Sequence, residues 1–204
     1  MINVLLFDLG GVLVELSGVP TMLKWTDNRY DVEMLWDAWL SSPAVRAFET
    51  GNSTAEEFAT RIVGEMQLPV SADEFIQRFR AWPKGLYPGV TKLLDRLRTD
   101  YTLACFSNSN DLHWPILMDD MGMAALFEYR FASHLMGRVK PDKEAFQYVL
   151  EGLNCDPASV LFLDDNGINV RSATEVGMRA HRARGPLEIE QVLLDTRILK
   201  PAAS

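Results

Sequence analysis

The sequence predicts an α/β fold: a Rossmann-like, doubly wound parallel sheet with a small helical cap inserted after the first strand. Three observations carry this. Residues 2–7 form a short continuous apolar run, as expected of a strand covered on both faces. The chain from residue 84 onward alternates strand-like and helix-like segments, the rhythm of a parallel sheet flanked by helices. Between them the pattern is helical throughout, with Trp25, Leu35, Trp36, Trp39, Phe48, Phe58, Ile62, Met66, Phe75 and Phe79 as recurring apolar positions. The expected division is a core of residues 1–16 and 84–204 around a cap of residues 17–83.

The elements follow in order. After the strand at 2–7, two capping-box spacings, Ser53 with Glu56 and Ser71 with Glu74, mark helix starts in the cap. Pro83, Pro88 and Gly89 break the helical rhythm. A helix is expected at 90–98, a strand at 102–106, a helix at 114–121 and a short strand at 129–132. Pro141 is expected in the first turn of a helix over 142–153. A strand at 160–163, a helix at 168–176 and a last strand at 178–182 complete the alternation, and residues 199–204 read as a loose tail.

Composition bounds the function. A chain of 204 residues with 48% hydrophobic and 24% charged residues has the makeup of one globular domain with room for a modest insert. A net charge of −8 argues against nucleic acid or an anionic membrane as the main partner. Cys105 and Cys155 stand in apolar surroundings without metal-ligand spacing and read as reduced core residues. No Lys or Arg precedes the apolar N-terminal run, which Asp8 interrupts, and no stretch reaches the length of a membrane span. The expectation is a cytoplasmic protein, a monomer or a homodimer.

The polar residues cluster at strand ends. Asp8 follows the first strand, Ser107 and Asn108 follow the second, and Asp164 and Asp165 end the strand at 160–163, with Asn166 and Asn169 just beyond. Lys140 lies in the loop GRVKP. Taken singly, each has an ordinary reading: a turn residue, a helix cap, a solvated charge. Jointly they deliver several carboxylates, an ammonium, a hydroxyl and an amide to the sheet edge where α/β proteins bind ligands. Carboxylates gathered in one crevice call for a cation, and Mg²⁺ suits oxygen ligands. Such an ion together with Lys140 would neutralise a phosphoryl group, and an ionised Asp8 facing the phosphorus would be a nucleophile.

The motifs FDLGGVL, FSNSN, GRVKPD and FLDDNGINVRSA, in this order, give the chain its resemblance to the haloacid dehalogenase-like hydrolase superfamily. It is similar in particular to the branch with sugar-1-phosphate phosphatases and the phosphatase domain of soluble epoxide hydrolase. The resemblance implies that Asp8 is both nucleophile and metal ligand and that the Gly10 carbonyl is a second ligand. It further implies that Ser107 and Asn108 bind the phosphoryl oxygens and that Lys140 holds nucleophile and phosphate. Asp165 would bind magnesium, with Asp164 and Asn169 completing or orienting the shell. The substrate implied is a small phosphorylated metabolite, such as a sugar phosphate. One position departs from the pattern: Gly10 stands where most family phosphatases carry a second Asp that protonates the leaving group. Gly10 therefore predicts a preference for aryl, acyl or anomeric phosphates, whose leaving groups depart without help.

Two alternatives remain at this point. A metal-independent 2-haloacid dehalogenase also lacks an Asp two residues after its nucleophile, yet would have no use for Asp164 and Asp165. A catalytically weak binding or regulatory protein is favoured by Gly10 alone. In the cap, Trp25, Trp36 and Trp39 read as core packing rather than as a sugar platform. The stretch ETGNS, from Glu49 to Ser53, reads as a helix end and start or as a specificity loop. His113 and Trp114 follow the second motif, and His113 is a candidate substrate contact.

Overall fold

The computed structural model describes residues 1–27 and 29–200. Its strands are β1 (Val4–Phe7), β2 (Val14–Leu16), β3 (Pro83–Leu86), β4 (Thr102–Ser107), β5 (Tyr129–Ala132), β6 (Val160–Asp164) and β7 (Arg179–Arg182). Five of them form a wholly parallel sheet in the order β5-β4-β1-β6-β7. The expected α/β, doubly wound architecture is present.

The two-residue period of β1 explains why helices cover both faces. Leu5 and Phe7 point into one apolar layer with Leu103, Cys105, Leu161 and Leu163; Val4 and Leu6 point into the other with Ala104, Phe106, Val160 and Phe162. Phe7, the last residue of β1, pairs with Cys105 and with Leu163, and β4 and β6 run on past this level to Ser107 and Asp164.

Five helices, α1 (Gly18–Trp25), α2 (Val32–Ser41), α3 (Pro43–Glu49), α4 (Ala55–Glu65) and α5 (Ala72–Arg80), pack around a separate aromatic cluster over the carboxyl edge of the sheet. Phe48 stacks on Phe58 at 4.5 Å, and Phe75 on Phe79 at 5.5 Å. Trp39 is buried at the centre of the cluster and Trp25 packs at its margin, whereas Trp36 stays 39% exposed. The core helices are α6 (Val90–Leu97), α7 (Ser133–Met136), α8 (Lys143–Leu153), α9 (Gly167–Glu175) and α10 (Gly185–Asp195). Helices α6 and α10 cover the Leu5 face, and α8 and α9 the Val4 face.

Several boundaries differ from expectation. The capping box of α4 is Thr54 with Glu57, one residue later than Ser53 with Glu56, because Thr54 has the extended backbone that an N-cap needs. Ser71 caps α5 through the Glu74 N–H. Pro141 precedes α8 instead of opening it: Asp142 is the N-cap residue, and its carboxylate is drawn away to Arg46 of α3. The segment at 114–121 is helical but wound as a π turn over Ile116–Asp120. Strands β2 and β3, an antiparallel ribbon where the chain enters and leaves the cap, were not foreseen. Leu199 is no part of a loose tail, since its N–H donates to the Leu193 carbonyl; residues 201–204 lie outside the described ones.

Candidate active site

The strand ends bring the candidate residues together as the sequence suggested. Asp8 directly follows β1, Ser107 ends β4 and Asp164 ends β6, while Lys140 enters from the loop between α7 and α8. Lys140 is only 2% exposed. Its Nζ donates to Asp8 Oδ1 at 2.7 Å, to Asp164 Oδ2 at 2.7 Å and to the Phe106 carbonyl at 3.0 Å. All three ammonium hydrogens therefore have acceptors. Burial works against the ammonium, but Asp164 and Asp8 together hold its pKa above the ordinary lysine value.

The polar run after β4 is mostly devoted to placing Lys140 and its surroundings. Asn108 Oδ1 accepts the Lys140 main-chain N–H at 2.9 Å and Asn108 Nδ2 donates to the Lys140 carbonyl at 2.9 Å. Its amide thus braces the lysine's backbone at both ends, and one Nδ2 hydrogen is left over. Ser109 ties the segment to Ser133 through its N–H and carbonyl. Asn110 Oδ1 accepts the N–H groups of Leu112 and His113, shaping the turn that follows. Ser107 is different, for its buried hydroxyl finds only the neighbouring Asn108 carbonyl at 3.3 Å.

Carboxylate oxygens of Asp8, Asp164 and Asp165 lie within 4.8 Å of one another. Burial holds the Asp8 carboxyl above the usual carboxylate range, and burial together with Asp164 pushes Asp165 up to about 6. One lysine does not offset this concentration of acid, and the donor set fits a hard divalent cation. The three acids are not equivalent. Asp164 takes Lys140 on Oδ2, the Asn166 N–H on Oδ1 and the Asn169 amide on both, so it anchors the site. Asn169 Oδ1 is buried without a partner among the described residues. Asp8 and Asp165 keep more of their oxygens free for an ion.

The loop after Asp8 is shaped for close approach. The bonds that hold the turn run from the Gly11 N–H to the Val14 carbonyl and from the Val14 N–H to the Leu9 carbonyl. Gly10's own carbonyl takes no part in them. Gly11 has φ +74°, and a Cβ there would collide with the Asp165 carboxylate, so only glycine lets the loop pass. At Gly10 the space for a side chain is filled by Leu16, whose Cδ1 lies 2.8 Å from where a Cβ would stand.

The cap meets the core at several places, among them a histidine, an ion pair and a glycine. His113 stacks on Phe79 at 4.3 Å, and its Nε2 lies 2.7 Å from the Phe79 carbonyl. A carbonyl only accepts, so Nε2 carries the proton and Nδ1 accepts from Asn110 Nδ2. Burial pushes the imidazole down to about 4, which keeps it neutral. His113 is thus a latch between cap and core, which corrects its expected role as a substrate contact. Arg46 of α3 pairs with Asp142, and Gly51 lies against the His134 carbonyl. Between these two contacts stands Glu49, an acid that the sequence offered only as the start of a loop. The available signal was a single acid closing the apolar end of α3 just before Gly51.

Comparison with known proteins adds the following. Residues 2–177 match the model of the haloacid dehalogenase-like hydrolase family. Phosphatase MT3486 of Mycobacterium tuberculosis is 26% identical over 189 residues, covering 85% of this chain and 87% of that protein. D-ribitol-5-phosphate phosphatase of Bacteroides thetaiotaomicron is 23% identical over 206 residues, covering 95% and 97%. The crystal structure of HAD family enzyme bt-2542 from the same organism, in complex with magnesium and inorganic phosphate, superposes with a TM-score of 0.72 at 26% identity, over 91% of this chain and 96% of that one.

Proposed function

The chain belongs to the haloacid dehalogenase-like hydrolase family, and on that footing we propose that it is a Mg²⁺-dependent phosphatase of a small phosphorylated metabolite, working through an aspartyl-phosphate at Asp8. The observation that carries this reading is the buried Lys140 bonded to Asp8 and Asp164, beside the convergent Asp165.

Each residue then has a task. Lys140 fixes one oxygen of Asp8 and leaves the other to attack phosphorus, and its charge offsets that of the phosphoryl group. Ser107 offers a hydroxyl to a phosphoryl oxygen. Asn108 acts at one remove, by fixing the backbone of Lys140. Asp8, Asp165 and the Gly10 carbonyl would hold Mg²⁺, which when bound supplies charge neutralisation at the phosphoryl oxygens. Asp164 and Asn169 orient that set. A dehalogenase attacking carbon would leave the three-carboxylate cluster without a purpose, which favours phosphate chemistry.

The test is phosphate release from a panel of sugar phosphates, nucleotides and an aryl phosphate, with Mg²⁺ or with chelator. Release that requires Mg²⁺ and disappears in Asp8→Asn supports the reading. Turnover that continues unchanged in chelator overturns it.

A further inference from the structure

Gly10 leaves the position two residues after the nucleophile without an acid, and the cap brings one toward the site. Glu49 is the last residue of α3, and the core holds α3 on both sides of it. Three residues before it, Arg46 pairs with Asp142, which lies two residues beyond Lys140. Two residues after it, at Gly51 (φ +73°), a Cβ would stand 2.6 Å from the His134 carbonyl oxygen. The end of α3 is thereby held against the segments that carry Lys140 and His134, and the half-buried Glu49 carboxyl lies beside the Trp39 side chain, near enough to feel the charges of Lys140 and Asp8. It is not one of the carboxylates that converge on a common point, so it is not committed to a cation.

We propose that Glu49 is the general acid and base of this enzyme, a cap residue standing in for the acid that Gly10 lacks. The proposal rests on the phosphatase reading above. In the first step an Asp8 oxygen bonds to phosphorus and the bond from phosphorus to the leaving oxygen breaks. That oxygen keeps the electron pair and takes the proton of the Glu49 carboxyl, leaving as a neutral alcohol. In the second step the Glu49 carboxylate removes a proton from water as the water oxygen bonds to phosphorus. The bond between phosphorus and Asp8 then breaks, which returns Asp8 as carboxylate, Glu49 as acid and the phosphoryl group as inorganic phosphate.

The local chemistry suits the task. Burial pushes the Glu49 carboxyl up to about 7 and Asp8 adds to this, against the pull of Trp39 and Lys140. Its place at the C-terminal end of α3 also favours the protonated form, because the helix carries partial negative charge there. An acid poised near neutral pH can both give and regain a proton. With Glu49 as the acid, the preference for easily departing leaving groups that Gly10 alone predicts is no longer required.

The test compares two substrates of similar size in Mg²⁺, 4-nitrophenyl phosphate and benzyl phosphate, in the native protein, Glu49→Gln and Glu49→Asp. Nitrophenolate leaves without a proton, whereas benzyl alcohol needs one. Glu49→Gln should slow the first turnover of benzyl phosphate about 100-fold more than that of 4-nitrophenyl phosphate. Phosphoenzyme should accumulate on the nitrophenyl substrate because the water step has lost its base, and Glu49→Asp should recover part of the benzyl rate. Equal losses on the two substrates, or a change in KM alone, would assign Glu49 to binding or structure and overturn the proposal. If the native protein releases phosphate from neither substrate, the phosphatase reading falls and this proposal falls with it.

Discussion

Lys140 spends all its hydrogens inside the protein, on two carboxylates and a carbonyl, and this makes it the residue on which the site depends. Replacing it with Met leaves Asp8 and Asp164 buried without their shared cation. Lys140→Met should lose about 3–5 kcal/mol of stability in urea unfolding at pH 8 in chelator. Burial has already raised the Asp8 carboxyl, so the charged form is the one penalised, and the deficit should shrink as pH falls and Asp8 protonates. A deficit independent of pH would show that lost packing is the cause. Gly10 offers the converse test. Its backbone is outside the left-handed region, and the atom in its way is the far end of Leu16, a side chain 36% exposed and able to swing aside. Gly10→Asp placed in Glu49→Gln should therefore recover benzyl phosphate cleavage by about 10-fold or more over Glu49→Gln alone. No recovery would mean that the space vacated by Leu16 does not face the leaving group.

At the scale of elements, a neutral histidine and a glycine make two of the contacts between cap and core. The fold lowers the pKa of His113 from its ordinary 6.5 to about 4, so it favours the uncharged ring. The stability this contributes is present above about pH 6.5 and is lost as pH falls from there through about 4. His113→Gln keeps an N–H for the Phe79 carbonyl but does not titrate. Between pH 6.5 and 4 the native protein should lose more stability than this variant, read as the difference between their urea midpoints; parallel curves would contradict the latch. Gly51→Ala should destabilise the protein by about 1–2 kcal/mol, through its positive φ and the contact with the His134 carbonyl. Hydrogen exchange should place the loosening in α3 and α7 ahead of the sheet.

For the molecule as a whole, the parallel sheet and its acid-bearing edge were legible because both follow from local chemistry. Apolar runs such as VLLF belong in a doubly covered sheet, and Asp8 or Asp164 at the end of such a run has few other reasons to be there. What sequence could not show was contact across space. Nothing in GRVKP says that Lys140 is buried, since lysine in a loop is ordinarily solvated; its partners Asp8, Asp164, Asn108 and the Phe106 carbonyl hold it inside. The resemblance gives Asn108 its phosphate role and the place after the second motif offers His113 to the substrate, whereas the contact of each with a distant part of the chain is visible only in three dimensions. The ribbon of β2 and β3 leaves little trace in the sequence because its strands are three and four residues long and one contains Pro83 and Gly85. Glu49 was unreadable for the same reason as Lys140, its significance lying in what α3 is held against. The most direct measurement of the central claim is mass spectrometry on protein quenched in acid during turnover of 4-nitrophenyl phosphate with Mg²⁺. A phosphoryl group on the peptide containing Asp8, absent when chelator replaces Mg²⁺, is the predicted result; continued phosphate release with no phosphoryl group on Asp8 would contradict it.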